Sequence, residues 1–214
     1  MNYLRIDSIF ASNRNGYCVV EFDNGVSHQF SLDIVARYKF RKGLELPQNV
    51  FDEISKEQRL IDAKNFALNY VSYKRRTKQQ VVSRMRQKKF TEEEISQAIK
   101  FLDEFGYLDD KSFIVSYYNY ALSQKKHSIK RIRQDLLRKG VDKDLIEEVQ
   151  KEINIENIEY ENALKIAEKK IEQLTKQNKS KIIERLAQHL FAKGFSWEII
   201  NSVCDYYRTR GDGH

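Results

Sequence analysis

The chain has 214 residues, enough for one large domain or a string of small ones. Charged residues make up 32% and hydrophobic residues 41%; no apolar run is long enough to span a membrane and no signal-peptide pattern opens the chain, so a soluble, cytoplasmic protein is expected. Basic residues outnumber acidic ones by 38 to 31, a net charge of +7 that favours an anionic partner. Cys18 and Cys204 stand far apart without His pairs beside them, which argues against a disulfide or a zinc site.

Residues 1–47 read as a small β-rich extension. Leu4–Ile9 and Tyr17–Phe22 alternate or run apolar as strands do, and Asp23-Asn24-Gly25 is a hairpin turn that lets Val26–Phe30 pair back. Ser31–Tyr38 reads as a short capped helix and Lys42–Leu46 as a final strand. So few residues bury little by themselves, so the extension is expected to lean on the first long helix. Pro47 marks the boundary, after which Val50–Tyr73 forms that helix, with Phe51, Ile54, Leu60, Ala63, Phe66, Ala67, Tyr70 and Val71 in its stripes.

Thr77–Asp110 then reads as two amphipathic helices around a corner. Val81 and Met85 face inward on the first; Ile95, Ala98, Ile99, Leu102 and Phe105 recur at three- and four-residue steps on the second. Thr91 and Glu94 form a capping box, Gly106 stops the helix, and Asp109 or Asp110 caps the next. The set Val81–Met85–Phe90–Ile95 returns 51 residues later as Ile132–Leu136–Val141–Ile146, and 54 residues further on as Leu186–Leu190–Phe195–Ile200. The corners return with it: Lys88-Lys89-Phe90-Thr91, Lys139-Gly140-Val141-Asp142 and Lys193-Gly194-Phe195-Ser196. Three copies in register define a helical repeat protein. The predicted architecture is mainly α: tandem three-helix, helix-turn-helix-like repeats over 48–106, 107–153 and 154–214, in an elongated curved array behind the β-hairpin extension.

The second unit reads as Lys111–Gln124, Ile129–Arg138 and Lys143–Ile153. Its first helix carries Phe113 and Tyr117, expected in the core, and Tyr118 and Tyr120, of which at least one must face outward. The third reads as the Glu/Lys-rich Ile158–Gln177, then Lys181–Ala192 and Trp197–Tyr207, with Thr209–His214 fraying.

Basic residues cluster on the loop and second helix of each unit. Lys74–Lys89 holds Lys74, Arg75, Arg76, Lys78, Arg84, Arg86, Lys88 and Lys89 without an acid. Lys125–Lys139 holds Lys125, Lys126, Lys130, Arg131, Arg133, Arg138 and Lys139 against Asp135 alone. The third copy, with Lys176 and Lys179, is milder. Such runs repel themselves unless a phosphate or an acidic protein surface relieves them. No catalytic constellation accompanies them. Asp109-Asp110 opens a helix as caps do, His28, His127, His189 and His214 lie in different elements, and there is no phosphate loop, nucleophile elbow or zinc signature. No cofactor or metal is expected, and no enzymatic activity.

The corners, the link Gly106-Tyr107-Leu108-Asp109-Asp110 with Phe113 and Tyr117 after it, and the entry Ala67-Leu68-Asn69-Tyr70 followed by Lys74-Arg75-Arg76-Thr77 together resemble the bacterial recombination regulator RecX family. The resemblance covers essentially the whole chain, with Lys89 standing where the first corner of the family usually has Gly and with a weakly apolar first helix in the third unit. It implies a monomeric protein that binds the RecA recombinase, mostly as its filament on single-stranded DNA. It further implies that the protein lies along the filament groove and suppresses filament growth, ATP hydrolysis, strand exchange and coprotease activity, thereby regulating recombination and the SOS response. The expected filament- and DNA-binding set is Lys74, Arg75, Arg76, Lys78, Arg84, Arg86 and Lys88 in the first cluster and Lys125, Lys126, Lys130, Arg131, Arg133, Arg138 and Lys139 in the second. A sequence-independent nucleic-acid-binding helical-repeat or helix-turn-helix protein is the rival reading. Against it, Glu92, Glu93 and Glu94 occupy the recognition-helix position and would repel phosphate.

Overall fold

The computed structural model describes residues 3–153, 156–174 and 179–210. It divides into two compact units, Met1–Tyr73 with Arg84–Phe105 and Lys74–Ser83 with Gly106–His214.

The first unit opens with strands β1 (Tyr3–Ala11), β2 (Tyr17–Phe22), β3 (Ser27–Ser31) and β4 (Glu45–Pro47), in the antiparallel order β3-β2-β1-β4. The extension is thus a four-stranded sheet, of which the expected hairpin is the β2–β3 part. Gly25, at φ +78°, closes that hairpin, and Asn24 Oδ1 accepts from the Val26 amide at 3.0 Å. The last strand is shorter than expected because Gly43, at φ +82°, still bends the chain. Ser31 caps helix α1 (Leu32–Arg37).

Ile6, Val20, Phe22, Phe30 and Ile34 fill a core completed by Phe51 and Ile54 from α2 (Gln48–Tyr73). His28 lies edge-on to Phe51 with ring centroids 5.0 Å apart, which makes it part of this aromatic group. Buried Gln58 accepts from the Ser31 amide at 2.7 Å, and Asp62 accepts from both Arg14 and Tyr17. The extension therefore shares its core with the long helix. Helix α2 packs on α4 (Glu92–Glu104), which buries Ile95, Ala98, Ile99 and Leu102. The Thr91–Glu94 capping box is present, and Arg59 holds the Glu94 carboxyl below its ordinary range. Phe105 departs from its predicted stripe and is 65% exposed. It sits at the C-cap, where Gly106 turns away at φ +67°, and its ring lies 5.0 Å from that of Phe101 instead.

Helix α3 (Lys78–Gln87) buries Val81 and Met85. The unit boundary falls within it. In the second unit follow α5 (Asp110–Ser123), α6 (Ile129–Arg138), α7 (Lys143–Glu152), α8 (Glu156–Leu174), α9 (Lys179–Ala192) and α10 (Trp197–Arg210). Asp109 caps α5 by accepting from the Ser112 amide at 2.8 Å, while Asp110 accepts from the Lys78 amide at 3.1 Å. The inward stripe of α5 is Ile114, Tyr118, Ala121 and Leu122. Phe113 and Tyr117, expected there, lie half-buried at its margin, their rings stacked 6.2 Å apart. Both stripes have helical spacing, and only packing against α6 and α7 chooses between them. Tyr118 is fully buried, its phenol pushed up to about 12 by burial, whereas Tyr120 is 50% exposed.

The weakly apolar α8 packs through small residues: Ala163 and Ala167 are fully buried in a core with Leu186, Leu190, Phe195, Ile200 and Val203. Thr209, expected to fray, is still helical, whereas residues 211–214 and with them His214 lie outside the described residues. No helix among the described residues is long and apolar enough to cross a membrane.

Candidate partner and nucleic-acid interface

The basic segments are positioned by a contact that occurs twice in the second unit. Thr77 and Ser128 each start a second repeat helix and are fully buried. Thr77 caps α3 reciprocally: its Oγ1 accepts from the Gln80 amide and Gln80 Oε1 accepts from its own amide, both at 3.2 Å. Ser128 caps α6. Each hydroxyl then donates to a corner carbonyl of the following repeat, Thr77 to Lys139 at 2.7 Å and Ser128 to Lys193 at 2.9 Å. One side chain thus serves its own helix and the next corner. The cations just before these caps are held at equivalent places: Lys74 and Lys125, and Arg75 and Lys126, are 51 positions apart, as are the corner residues Lys88 and Lys139.

The structure splits the first predicted cluster. Arg84, Arg86, Lys88 and Lys89 belong to the first compact unit, whereas Lys74, Arg75, Arg76 and Lys78 belong to the second. Arg86 is already engaged: its guanidinium donates to both Glu92 oxygens at 2.7 and 2.8 Å, which holds that carboxyl below its usual range. Arg84 donates to Gln87 at 3.1 Å and borders a groove of about 620 Å³ with Arg59, Phe66, Tyr70 and Phe90. Arg75 donates to Ser116 at 3.0 Å. Arg76 is half-buried, and Lys74, Lys78, Lys88 and Lys89 are exposed.

The second cluster is partly consumed in the same way. Arg133 pairs with Glu147, Arg138 with Asp135 at 3.2 Å, and the Lys139 ammonium sits 5.4 Å from the Tyr117 ring centroid. Lys125, Lys126 and Arg131 instead line a cleft of about 420 Å³, while Lys130 is exposed on α6. The loop after α5 is bent by Lys126 at φ +51°, and the His127 amide donates back to the Ala121 carbonyl at 3.0 Å. Opposite this loop, α8 contributes Lys165, Lys169 and Lys170, and the last corner contributes Lys193. His127 and His189 complete the lining, which contains seven Lys or Arg side chains and no carboxylate. The two walls are tied by Asn162 Nδ2 donating to the Leu122 carbonyl at 2.9 Å and the Ile129 amide donating to Glu159 at 2.8 Å. Burial pushes the Glu159 carboxyl up, while Arg59 and a cap hold Glu94 down.

The four lysines from α8 and the last corner are absent from the predicted set. In sequence, α8 reads as mixed Glu and Lys. The signal was the spacing: Lys165 and Lys169 are four apart and share a face, with Lys170 beside them. Of the milder third cluster, Lys176 lies outside the described residues, and Lys179 opens α9. Among the described residues no group of three His, Cys, Asp or Glu side chains is placed to hold a metal ion.

Comparisons with known proteins agree with this geometry. Family models described as RecX, first, second and third three-helix domain match residues 63–102, 109–149 and 157–204. The chain is 30% identical over 171 residues to the regulatory protein RecX of Clostridioides difficile, covering 80% of both chains. It is 32% identical to that of Clostridium botulinum strain Alaska E43, covering 83% of this chain and 85% of the relative. Its fold is similar to a crystal structure of regulatory protein RecX, with a TM-score of 0.73 at 23% identity, covering 94% of this chain and 99% of that one. It is also similar to the crystal structure of RecX from Lactobacillus salivarius, with a TM-score of 0.66 at 26% identity, covering 71% of this chain and 97% of that one. Four strands ahead of three helical repeats, joined through hydroxyl-to-corner contacts, are thus carried by a chain that belongs to the RecX family.

Proposed function

We propose that the protein is a non-enzymatic, cytoplasmic regulator of homologous recombination and the SOS response. It acts as a monomer on the RecA recombinase, binding its filament on single-stranded DNA along the groove. There it inhibits filament extension, ATP hydrolysis, strand exchange and coprotease activity. The basic segments of the repeats 48–106, 107–153 and 154–214 face the filament, and bridging neighbouring protomers blocks addition of the next.

Membership of the RecX family supports the partner, and one observation supports the surface. Cations recur at equivalent repeat positions, Lys74 with Lys125 and Arg75 with Lys126, immediately before the buried hydroxyls that fix the repeats. Arg86, Arg133 and Arg138, by contrast, spend charge on Glu92, Glu147 and Asp135, so the exposed lysines carry more of the interface. A helix-turn-helix regulator is not favoured: Glu92 and Glu94 at the start of α4 are committed to Arg86 and Arg59.

The test is steady-state ATP hydrolysis by the host recombinase on single-stranded DNA, with increasing amounts of this protein. Inhibition is expected, weakened by replacing Arg75, Arg76, Arg84 and Arg86, or Lys130, Arg131 and Arg133, with Ala while circular dichroism stays unchanged. Undiminished hydrolysis at saturating protein would remove the reading.

A further inference from the structure

The cleft between the α5–α6 loop and α8 has a composition that the helical fold does not require. Lys125, Lys126, Arg131, Lys169, Lys170 and Lys193 converge there without a lining carboxylate, and uncompensated like charge at such density destabilises the folded chain. Its walls are also fixed, by buried Asn162 and Glu159, so the charges are held in place before any ligand arrives.

The form of the site selects among anions. Lys165 and Lys169 stand one turn apart on α8, about 6 Å along the axis, comparable to the step between successive phosphates of an extended strand. The cleft is open, and its donors are mostly lysine ammoniums, which act as point charges and do not enclose a single anion in fixed geometry. Lys125 also lies 5.9 Å from the Tyr120 ring centroid, and half-exposed Tyr120 offers a flat face beside the charges.

Two imidazoles sit among these cations. His127 faces Arg131 and Asp135 of α6, Lys125 of its own loop and Lys193 of the last corner, with Asp135 Oδ2 3.9 Å from its Nδ1; the Glu159 carboxyl of α8 lies behind the loop on the Ile129 amide. His189 faces Lys170 of α8 and Lys193. Burial and these cations lower both imidazoles from their ordinary value, so both are neutral at pH 7 when the cleft is empty. A phosphate oxygen placed among the cations offsets their field at both rings and so favours protonation.

We propose that this cleft binds the phosphodiester backbone of a single nucleic-acid strand directly, without the recombinase, and that His127 and His189 make the binding tighten as pH falls. Lys and Arg keep their charge across that range, and the raised Glu159 carboxyl stands behind the loop outside the lining, so the dependence falls to the two imidazoles that line the cleft. Proton uptake on binding means that log K rises as pH falls, with a slope approaching about one per histidine.

The experiment measures fluorescence anisotropy of a labelled oligothymidylate, whose bases do not titrate near neutrality, with the full chain alone at pH 5.5 and 7.5. Affinity about tenfold or more higher at pH 5.5 is expected, a factor of ten being one pKa unit of coupling. The double substitution His127→Gln with His189→Gln should flatten the profile, so that affinity at pH 5.5 no longer exceeds that at pH 7.5 by about tenfold. Lys169→Ala with Lys170→Ala should weaken binding at both pH values and reduce the salt slope by about 0.7 per lost contact. The Lys169→Arg with Lys170→Arg variant should retain binding and so controls for folding. A profile that stays steep in the double Gln variant overturns the proton coupling. Tripolyphosphate competing as well as the oligomer, mole for mole, overturns the strand in favour of a free anion. Intact oligomer binding by the Lys169/Lys170 Ala variant, with loss only on recombinase filaments, overturns the cleft as a nucleic-acid site while leaving the regulatory function standing.

Discussion

The corners of the first and second repeats occupy the same slot in the helical unit and are built from different residues for a physical reason. At the first corner Lys89 takes φ +62° and is exposed; at the second Gly140 takes φ +75°. Both conformations are left-handed, as the end of a helix requires. A side chain on Gly140, however, would place its Cβ 2.5 Å from Gln79 Cβ, because the start of α3 lies over this corner and Thr77 donates to its Lys139 carbonyl. The third corner is intermediate: Gly194 at φ +87° would place a Cβ 2.9 Å from Ser128 Oγ. Glycine is needed where a preceding segment rests on the corner. At the exposed first corner a lysine bears only the backbone strain.

Gly140→Ala should therefore have the largest effect. It combines a positive φ with a clash against a Cβ that cannot rotate away, and chemical denaturation should register a loss of about 2–4 kcal/mol. Gly194→Ala meets the Ser128 hydroxyl, which can move aside only by giving up its cap and its bond to the Lys193 carbonyl, so it should cost less than a clash against a Cβ; equal losses would show that backbone strain alone sets the requirement. Thr77→Val and Ser128→Ala come next. Each takes the buried donor from a corner carbonyl and removes a helix cap, for about 1–2 kcal/mol in the same assay. Near-neutral results for both would detach the corners from the hydroxyls. Lys89→Gly should stabilise, by under about 1 kcal/mol, because relief of left-handed strain is offset by a freer unfolded chain. A loss of stability there would mean that the Lys89 side chain has a structural task.

The smallest effects concern two carboxylates that brace these elements. Glu94 completes the cap after the first corner, and Arg59 holds its folded pKa below the unfolded value, so its contribution is full above the ordinary glutamate range and is lost as pH falls through the lowered value. Glu159 supports the start of α6, and burial raises its folded pKa; its stabilising contribution is full below the ordinary range and is lost as pH rises through the raised value. Melting curves against pH should show Glu94→Gln flattening the acid side and Glu159→Gln flattening the side toward neutrality. Identical profiles for the two would contradict their opposite surroundings.

Much of the helical frame was legible because its signals are local. Val81, Ile132 and Leu186 announced the repeat through spacing alone, and all three are fully buried. The Thr91–Glu94 box was equally readable, since caps depend on three or four successive residues. The exposed Phe105 and the choice of Ile114 and Tyr118 over Phe113 and Tyr117 were not readable. Each turns on which neighbour a stripe meets.

The candidate site divides along the same line. Sequence alone determined which segments are basic, because charge is a property of the residue. Tertiary structure decided which of those charges are available. It engaged Arg86 with Glu92, Arg133 with Glu147 and Arg138 with Asp135, and it gathered Lys125 and Arg131 with Lys169, Lys170 and Lys193 around two imidazoles. An electrostatic site depends on distances through space, and the α5–α6 loop, α8 and the last corner become neighbours only when Ser128, Glu159 and Asn162 make their buried hydrogen bonds across the repeats.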